Sequence, residues 1–170
     1  RMWVYAPETD TWSDGEPMPC RGRFLQQMAT IGHTIYVLGG IGLQPGDEGR
    51  MAREMLTDAW SWSAETGWRR LAHLPHYCGA APTPAPVIGG RIYLLGGDDA
   101  TVKGFTPQNH PGFHNFTLCY CPECDKWAPA GEMAVARAVL PCAEWEGLAV
   151  IVNGEQRPGK RSNLVWGAKM

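Results

Sequence analysis

No run of apolar residues in this 170-residue chain approaches the roughly 18 needed to span a bilayer, so no membrane helix is expected. Charge of one sign is equally scarce. Lys and Arg number 15 against 17 Asp and Glu, the net charge is -2, and the basic residues are scattered rather than run together. Such a chain has no electrostatic footprint for nucleic acid or an anionic membrane surface. A helical signature is missing too, since no segment carries an apolar period of 3.6 over a useful length. Six cysteines are few for a disulfide-built scaffold in a chain long enough for one ordinary core. The opening residues lack the basic-then-apolar layout of a signal peptide, but the chain begins with Arg1 rather than Met, so this says nothing of a leader.

What the chain does have is a repeat. Thr34-Ile35-Tyr36-Val37-Leu38-Gly39-Gly40 returns as Arg91-Ile92-Tyr93-Leu94-Leu95-Gly96-Gly97 and, in divergent form, as Leu148-Ala149-Val150-Ile151-Val152-Asn153-Gly154, at a constant spacing of 57 residues. A fixed period of that size marks repeated supersecondary units. A second pattern accompanies it, in which an aromatic run, a polar tip and a run bearing Trp read as a hairpin. Its copies are Trp3-Val4-Tyr5 with turn residues Ala6 to Asp10 and then Thr11-Trp12; Trp60 to Trp68; and Leu118 to Trp127. Eight tryptophans, with 21 Gly and 14 Pro making about a fifth of the chain, fit short strands and tight turns. The stretch Gly131 to Leu140 could pass for a helix, but its position in the repeat predicts a strand. About four short strands per unit make one blade of a propeller, each blade burying its faces against its neighbours. The loops after the three glycine-pair copies then leave from the same end.

The glycine pair, the downstream aromatic and the Trp closing a hairpin resemble kelch repeats over nearly the whole chain. The resemblance implies an all-β fold, a kelch-type β-propeller, with about three blades of a six-bladed ring in these residues. Residues 1–19 would be the outer hairpin of a cut blade, 20–75 and 76–134 two repeats, and 135–170 a third repeat cut at its end. The missing blades or a second copy would close the ring.

The loop Asn153 to Ser162 is the one where chemistry is expected. Pro158-Gly159 favours a type II turn that folds the arms together and brings Glu155 and Arg161 to opposite flanks. From spacing alone this is either a solvated ion pair or a pair serving a carboxylated sugar. Gly-Glu-x-x-Pro-Gly-x-Arg after such a strand is similar to the segment of N-acetylneuraminate epimerases, the sialic acid mutarotases, and their cyclically permuted relatives. Asn109-His110-Pro111-Gly112-Phe113 followed by Leu118-Cys119-Tyr120 resembles the His-Pro-Gly-Phe blade of the same group.

What this second resemblance implies is an isomerase that interconverts anomers of N-acetylneuraminate or a related sialic acid by acid-base ring opening. The glutamate taken as proton acceptor lands on Glu155 and the neighbouring arginine on Arg161, which would hold the substrate carboxylate bidentately. A small-molecule sugar acid is the implied partner, with no cofactor, and a bacterial periplasmic or secreted setting is implied as well. A guanidinium weakens a nearby carboxylate as a base. Ring opening proceeds unaided in water, however, and general acid-base help of order 10² to 10⁴ suffices.

Arg23 and Arg137 stand 16 residues before Gly39 and Asn153, with Ala80 at that place in the middle unit. They are further candidates for binding a sugar acid, or else structural arginines bonded to neighbouring carbonyls. His110 and Asp98 on the second loop are weaker substrate-binding candidates. Cys119-Tyr120-Cys121-Pro122-Glu123-Cys124 could supply thiolates to zinc. Its place at an outer hairpin tip, without an obvious fourth ligand, favours a local disulfide or free thiols. His110 and His114 are spaced i, i+4, but Pro111-Gly112 forbids the helix that would align them. The rival functional reading is a non-catalytic kelch propeller binding a protein or glycan, because the fold hosts many functions. A copper radical oxidase of the kelch-like class lacks its tyrosine, histidine and cysteine constellation here.

Overall fold

Short apolar runs that alternate in facing, punctuated by glycine pairs and polar tips, form strands throughout the computed structural model, which describes residues 1–101 and 105–169. The first hairpin joins β1 (Trp3–Ala6) to β2 (Thr11–Asp14). Ala6 closes the strand against Thr11 rather than lying in the turn.

Next comes β3 (Gln27–Ile31) and β4 (Thr34–Leu38), then a projecting hairpin of β5 (Ile41–Pro45) and β6 (Met51–Met55) with one 3-10 turn between, and then β7 (Ala59–Ser63) and β8 (Gly67–Leu71). Strands β3-β4-β7-β8 make the first four-stranded antiparallel sheet. A second is made by β9 (Val87–Ile88), β10 (Arg91–Gly97), β11 (His114–Cys121) and β12 (Lys126–Glu132), in sequential order. The third sheet has three strands, β13 (Cys142–Trp145), β14 (Leu148–Val152) and β17 (Val165–Lys169), with a small hairpin of β15 (Glu155–Arg157) and β16 (Lys160–Arg161) inserted before the last. Among the described residues there is no α-helix, and no helix long and apolar enough to cross a membrane.

Strand periodicity explains why the middle glycine-pair strand is apolar on both faces. Side chains of successive residues point to opposite sides of a sheet. Ile92 and Leu94 pack with Tyr36, Leu38, Leu118 and Tyr120 toward the first sheet, whereas Leu95 packs with Leu140, Cys142, Ala149 and Ile151 toward the third. The second sheet is thus sandwiched, and β10 is buried from both directions.

The glycine pairs end strands β4 and β10 where two conformational demands coincide. Gly39, Gly96 and Asn153 hold φ of 56°, 62° and 64°. This is the left-handed region, which Asn tolerates better than other non-glycine residues. At the second position a Cβ on Gly40 would lie 2.8 Å from the Gln26 backbone, and one on Gly97 would lie 2.6 Å from the Gly79 carbonyl. Substitution there is blocked by the incoming segment of the same sheet.

Ahead of β3, β9 and β13, that incoming segment adds a single rung to each sheet. Phe24 pairs with Ile41, Gly79 with Asp98 and Ala138 with Glu155, each as an isolated antiparallel bridge. The stretch Gly131 to Leu140, expected as a strand, contributes only its first two residues to β12 and this one bridge. Val139 at φ 57° breaks the extended conformation immediately after it.

Leu94→Ala and Leu95→Ala probe the two faces separately. Each is expected to lower unfolding free energy by about 3 kcal/mol, the usual loss for a buried leucine, as read by urea denaturation with an unchanged m-value.

Candidate functional site

Three residues occupy one structural rung: Ile41, Asp98 and Glu155 each follow the strand-ending pair and exchange two backbone hydrogen bonds with the innermost segment of their sheet. For Glu155 these run from Ala138 N–H to its carbonyl at 3.0 Å and from its own N–H to the Ala138 carbonyl at 2.8 Å. Pro158 and Gly159, the latter at φ 76°, form the tip of the β15–β16 hairpin, as the sequence predicts. The register sets Glu155 opposite Arg161.

The Glu155 side chain is only 15% exposed, and that of Arg161 is 83% exposed. Arg161 Nε donates to Glu155 Oε1 at 3.3 Å, and the Gly159 backbone N–H donates to Oε2 at 3.3 Å. Both carboxylate oxygens are therefore oriented. Neither Nη group of Arg161 has a hydrogen-bond partner among the described residues, so the outer edge of the guanidinium faces solvent. With one partner this exposed, the ion pair adds little to stability.

The two loops that sequence motifs single out meet here. Phe113 N–H donates to the Gln156 carbonyl at 3.3 Å, joining the His-Pro-Gly-Phe segment to β15. His110 turns into its own loop, where Nδ1 accepts from the Gly112 N–H at 3.1 Å. Asp98 likewise caps its own loop, accepting from the Ala100 N–H at 2.9 Å. His114 stacks on Phe116 at 3.7 Å, and both its ring nitrogens are buried without a partner. Burial pushes its pKa down, with the charges of Asp99 and Asp98 opposing and that of His76 assisting.

The two arginines make different contacts. Arg23 is committed within the first sheet: Nη2 meets Asp58 Oδ2 at 2.7 Å and Nη1 donates to the Gly39 carbonyl at 3.0 Å. Trp60 Nε1 donates to the same Asp58 oxygen at 2.7 Å. Arg137 lies under the Glu155 hairpin but is 2% exposed. It donates to the Ala136 carbonyl at 2.9 Å and weakly to Ser162 Oγ at 3.4 Å, and its Nε has no partner. By the bridges, the middle counterpart of these arginines is Cys78, not Ala80, because Arg23, Cys78 and Arg137 each directly precede a rung residue.

Sequence reasoning missed Asp58 and Ser162, which sit at the feet of projecting hairpins and show no motif of their own. Among the described residues no three His, Cys, Asp or Glu side chains are grouped to hold a metal ion. Cys121 and Cys124 form a disulfide, and Cys119 is a buried free thiol. A cavity of about 740 Å³ lies between the β1–β2 hairpin and the first sheet, lined by Trp3, Tyr5, Met28 and Trp62, and does not include Glu155.

No protein-family model matches the chain. Over 197 aligned positions it is 24% identical to the N-acetylneuraminate epimerase of Yersinia enterocolitica, covering 97% of this chain and 49% of that protein. The solved structure of YjhT matches with a TM-score of 0.76 at 22% identity, over 94% of this chain and 53% of that one. The chain has the fold of YjhT. It is an all-β, propeller-type fold. The chain spans about half the length of each of these two proteins.

The arginine contacts give a paired prediction. Arg23→Met strands the Asp58 carboxylate in a largely buried position and is expected to cost about 3 kcal/mol, whereas Arg137→Met orphans no carboxylate and is expected to change stability by less than about 1 kcal/mol. A pH titration of stability checks the cause. Burial works to raise the Asp58 pKa, but hydrogen bonds from Arg23 and Trp60 prevail and hold it below its ordinary value. Its contribution is therefore present above about pH 4 and lost as pH falls further, and Asp58→Asn is expected to flatten that acid limb.

Proposed function

We propose that this chain carries the acid-base centre of a sugar-acid mutarotase, with N-acetylneuraminate or a related sialic acid as substrate. The reading is supported by one observation above others: a largely covered glutamate, both oxygens oriented, faces an arginine whose outer edge is open, on a hairpin that the family-like motif builds. The likeness to an N-acetylneuraminate epimerase adds the substrate class. A kelch-type ring of six blades is part of the same proposal.

The chemistry follows from what a cyclic 2-keto sugar acid needs. Glu155 takes the proton of the anomeric hydroxyl, the bond between the anomeric carbon and the ring oxygen breaks as the carbonyl forms, and the ring oxygen takes a proton. Rotation about the bond beside the open-chain ketone and reclosure on the other face give the second anomer, with the protons returned. The open Nη edge of Arg161 suits the substrate carboxylate, two parallel N–H donors matching two oxygens. Because Nε already holds Glu155, substrate binding sets the distance between base and anomeric centre, which is the positioning part of the rate.

An NMR time course of anomer equilibration tests this with the intact protein. Glu155→Gln is expected to reduce the enzymatic rate by about 10² to 10⁴, and Arg161→Ala to raise KM more than it lowers kcat. Equal equilibration rates for the native protein and Glu155→Gln would overturn the assignment and favour a propeller that only binds.

A further inference from the structure

The outer hairpin tips of the first and third hairpins are near-copies in sequence. Tyr5-Ala6-Pro7-Glu8-Thr9-Asp10 with Trp12 two residues on is matched by Tyr120-Cys121-Pro122-Glu123-Cys124-Asp125 with Trp127. Their geometry is the same. Ala6 pairs with Thr11 as Cys121 pairs with Lys126, and Tyr5 with Trp12 as Tyr120 with Trp127. Asp10 and Asp125 both adopt the left-handed conformation, at φ 51° and 47°. The tyrosine hydroxyl donates to that aspartate in each, at 2.8 Å in the first tip and 2.7 Å in the second. The only change inside the four-residue tip and its leading strand residue is the pair Ala6 and Thr9 for Cys121 and Cys124, and the cysteines are bonded to each other.

The first tip is thus an internal control. It reaches the same turn, register and tyrosine-aspartate bond with no covalent link. The tip between β7 and β8 makes the point again, closing through a Ser63 Oγ to Thr66 Oγ1 hydrogen bond of 2.9 Å. A crosslink between residues three apart also removes little chain entropy. The disulfide is therefore not what builds its turn, and it sits where a reagent can reach it: Cys124 is exposed and Cys121 half-buried.

We infer that Cys121–Cys124 is a reversible thiol–disulfide exchange site that opens and closes without unfolding the sheet, taking a dithiol as its partner. The thiolate of the dithiol attacks the exposed Cys124 sulfur, forming a mixed disulfide and releasing Cys121 as thiolate. The Cys124 backbone N–H, 3.3 Å from the Cys121 sulfur, is placed to stabilise that leaving charge. The second thiol of the partner then displaces Cys124 and closes the partner's own disulfide. Two electrons and two protons pass to the cysteine pair. Strand β11 separates this site from the Glu155 hairpin by its full length, roughly 23 Å at 3.3 Å per residue, so it acts at the opposite end of the blade from the sugar-acid centre.

The test blocks free thiols in native buffer, adds dithiothreitol, and labels newly exposed thiols with an isotopically distinct alkylating reagent for peptide mass spectrometry. Cys121 and Cys124 are expected to label fully while buried Cys78, Cys119 and Cys142 stay unmodified, and oxidised dithiothreitol is expected to restore the bond. Near-UV circular dichroism should be unchanged, with the melt still cooperative and lowered by no more than about 8 °C. Cys121→Ala/Cys124→Thr, which writes the first tip into the second, should melt like the reduced protein. Labelling that requires denaturant, a bond that does not re-form, or loss of the cooperative melt in the reduced protein or the double variant would each overturn the inference.

Discussion

A relay of backbone hydrogen bonds around the inner ends of the blades fixes everything that projects from them. The Ala80 N–H donates to the Leu25 carbonyl at 2.9 Å, and the Val139 N–H donates to the Ala80 carbonyl at 2.7 Å. All three residues are non-glycine and left-handed, at φ 53°, 55° and 57°. Each such conformation costs about 1–2 kcal/mol, so its threefold occurrence is held by the surroundings rather than by preference. The kink turns each innermost segment from the rung it makes within its own blade to the bond it makes with the next. Register within a blade and docking between blades are set by the same three peptides.

Once that relay is in place, the buried position just before each rung is free to vary, and the three larger sheets use it differently. In the first, Arg23 ties the foot of the β5–β6 hairpin through Asp58. In the second, Cys78 is fully buried, its pKa is pushed up to about 12 chiefly by burial, and its thiol donates to the Gly96 carbonyl at 3.4 Å. In the third, Arg137 ties the foot of the Glu155 hairpin through Ser162, and no carboxylate answers its charge among the described residues. A paired arginine locks the long hairpin firmly. The weaker hydroxyl contact leaves the short, candidate catalytic hairpin to be positioned by its own backbone bridge and by Arg161.

Much of this was legible because strands and turns write local signals. The glycine-pair period located β4, β10 and β14, the Trp-bearing hairpins located the outer strands, and Pro158-Gly159 foretold that Glu155 would face Arg161. What failed were inferences that needed a long-range count. Placing Ala80 opposite the arginines assumed equal spacing, but the middle rung joins residues 79 and 98, two residues further apart than 24 and 41 or 138 and 155. The glycine pairs kept their period because the extra residues fall between rung and strand. Gly131 to Leu140 misled for a related reason: its place in the repeat is real, but the relay needs a kink there, and a kink at Val139 carries no glycine to announce it. Asp58 was silent because a lone aspartate before an aromatic strand looks like any turn residue until its partner, 35 residues away, is located in space.

The rung itself shows why one scaffold position yields three outcomes. Ile41, Asp98 and Glu155 are held by equivalent pairs of backbone bonds, so the backbone does not distinguish them; the length of the following loop and the side chain do. Ile41 opens a long hairpin and is buried beneath it, within reach of Gly79. After Asp98 the chain folds back at once, and the Ala100 N–H occupies its carboxylate. Glu155 opens the shortest insertion, and a two-residue tip returns the chain so quickly that the register sets Arg161 directly across from it. Short return is what converts a repeated structural rung into an oriented ion pair. Lengthening the β15–β16 tip would remove that constraint without touching either charged residue.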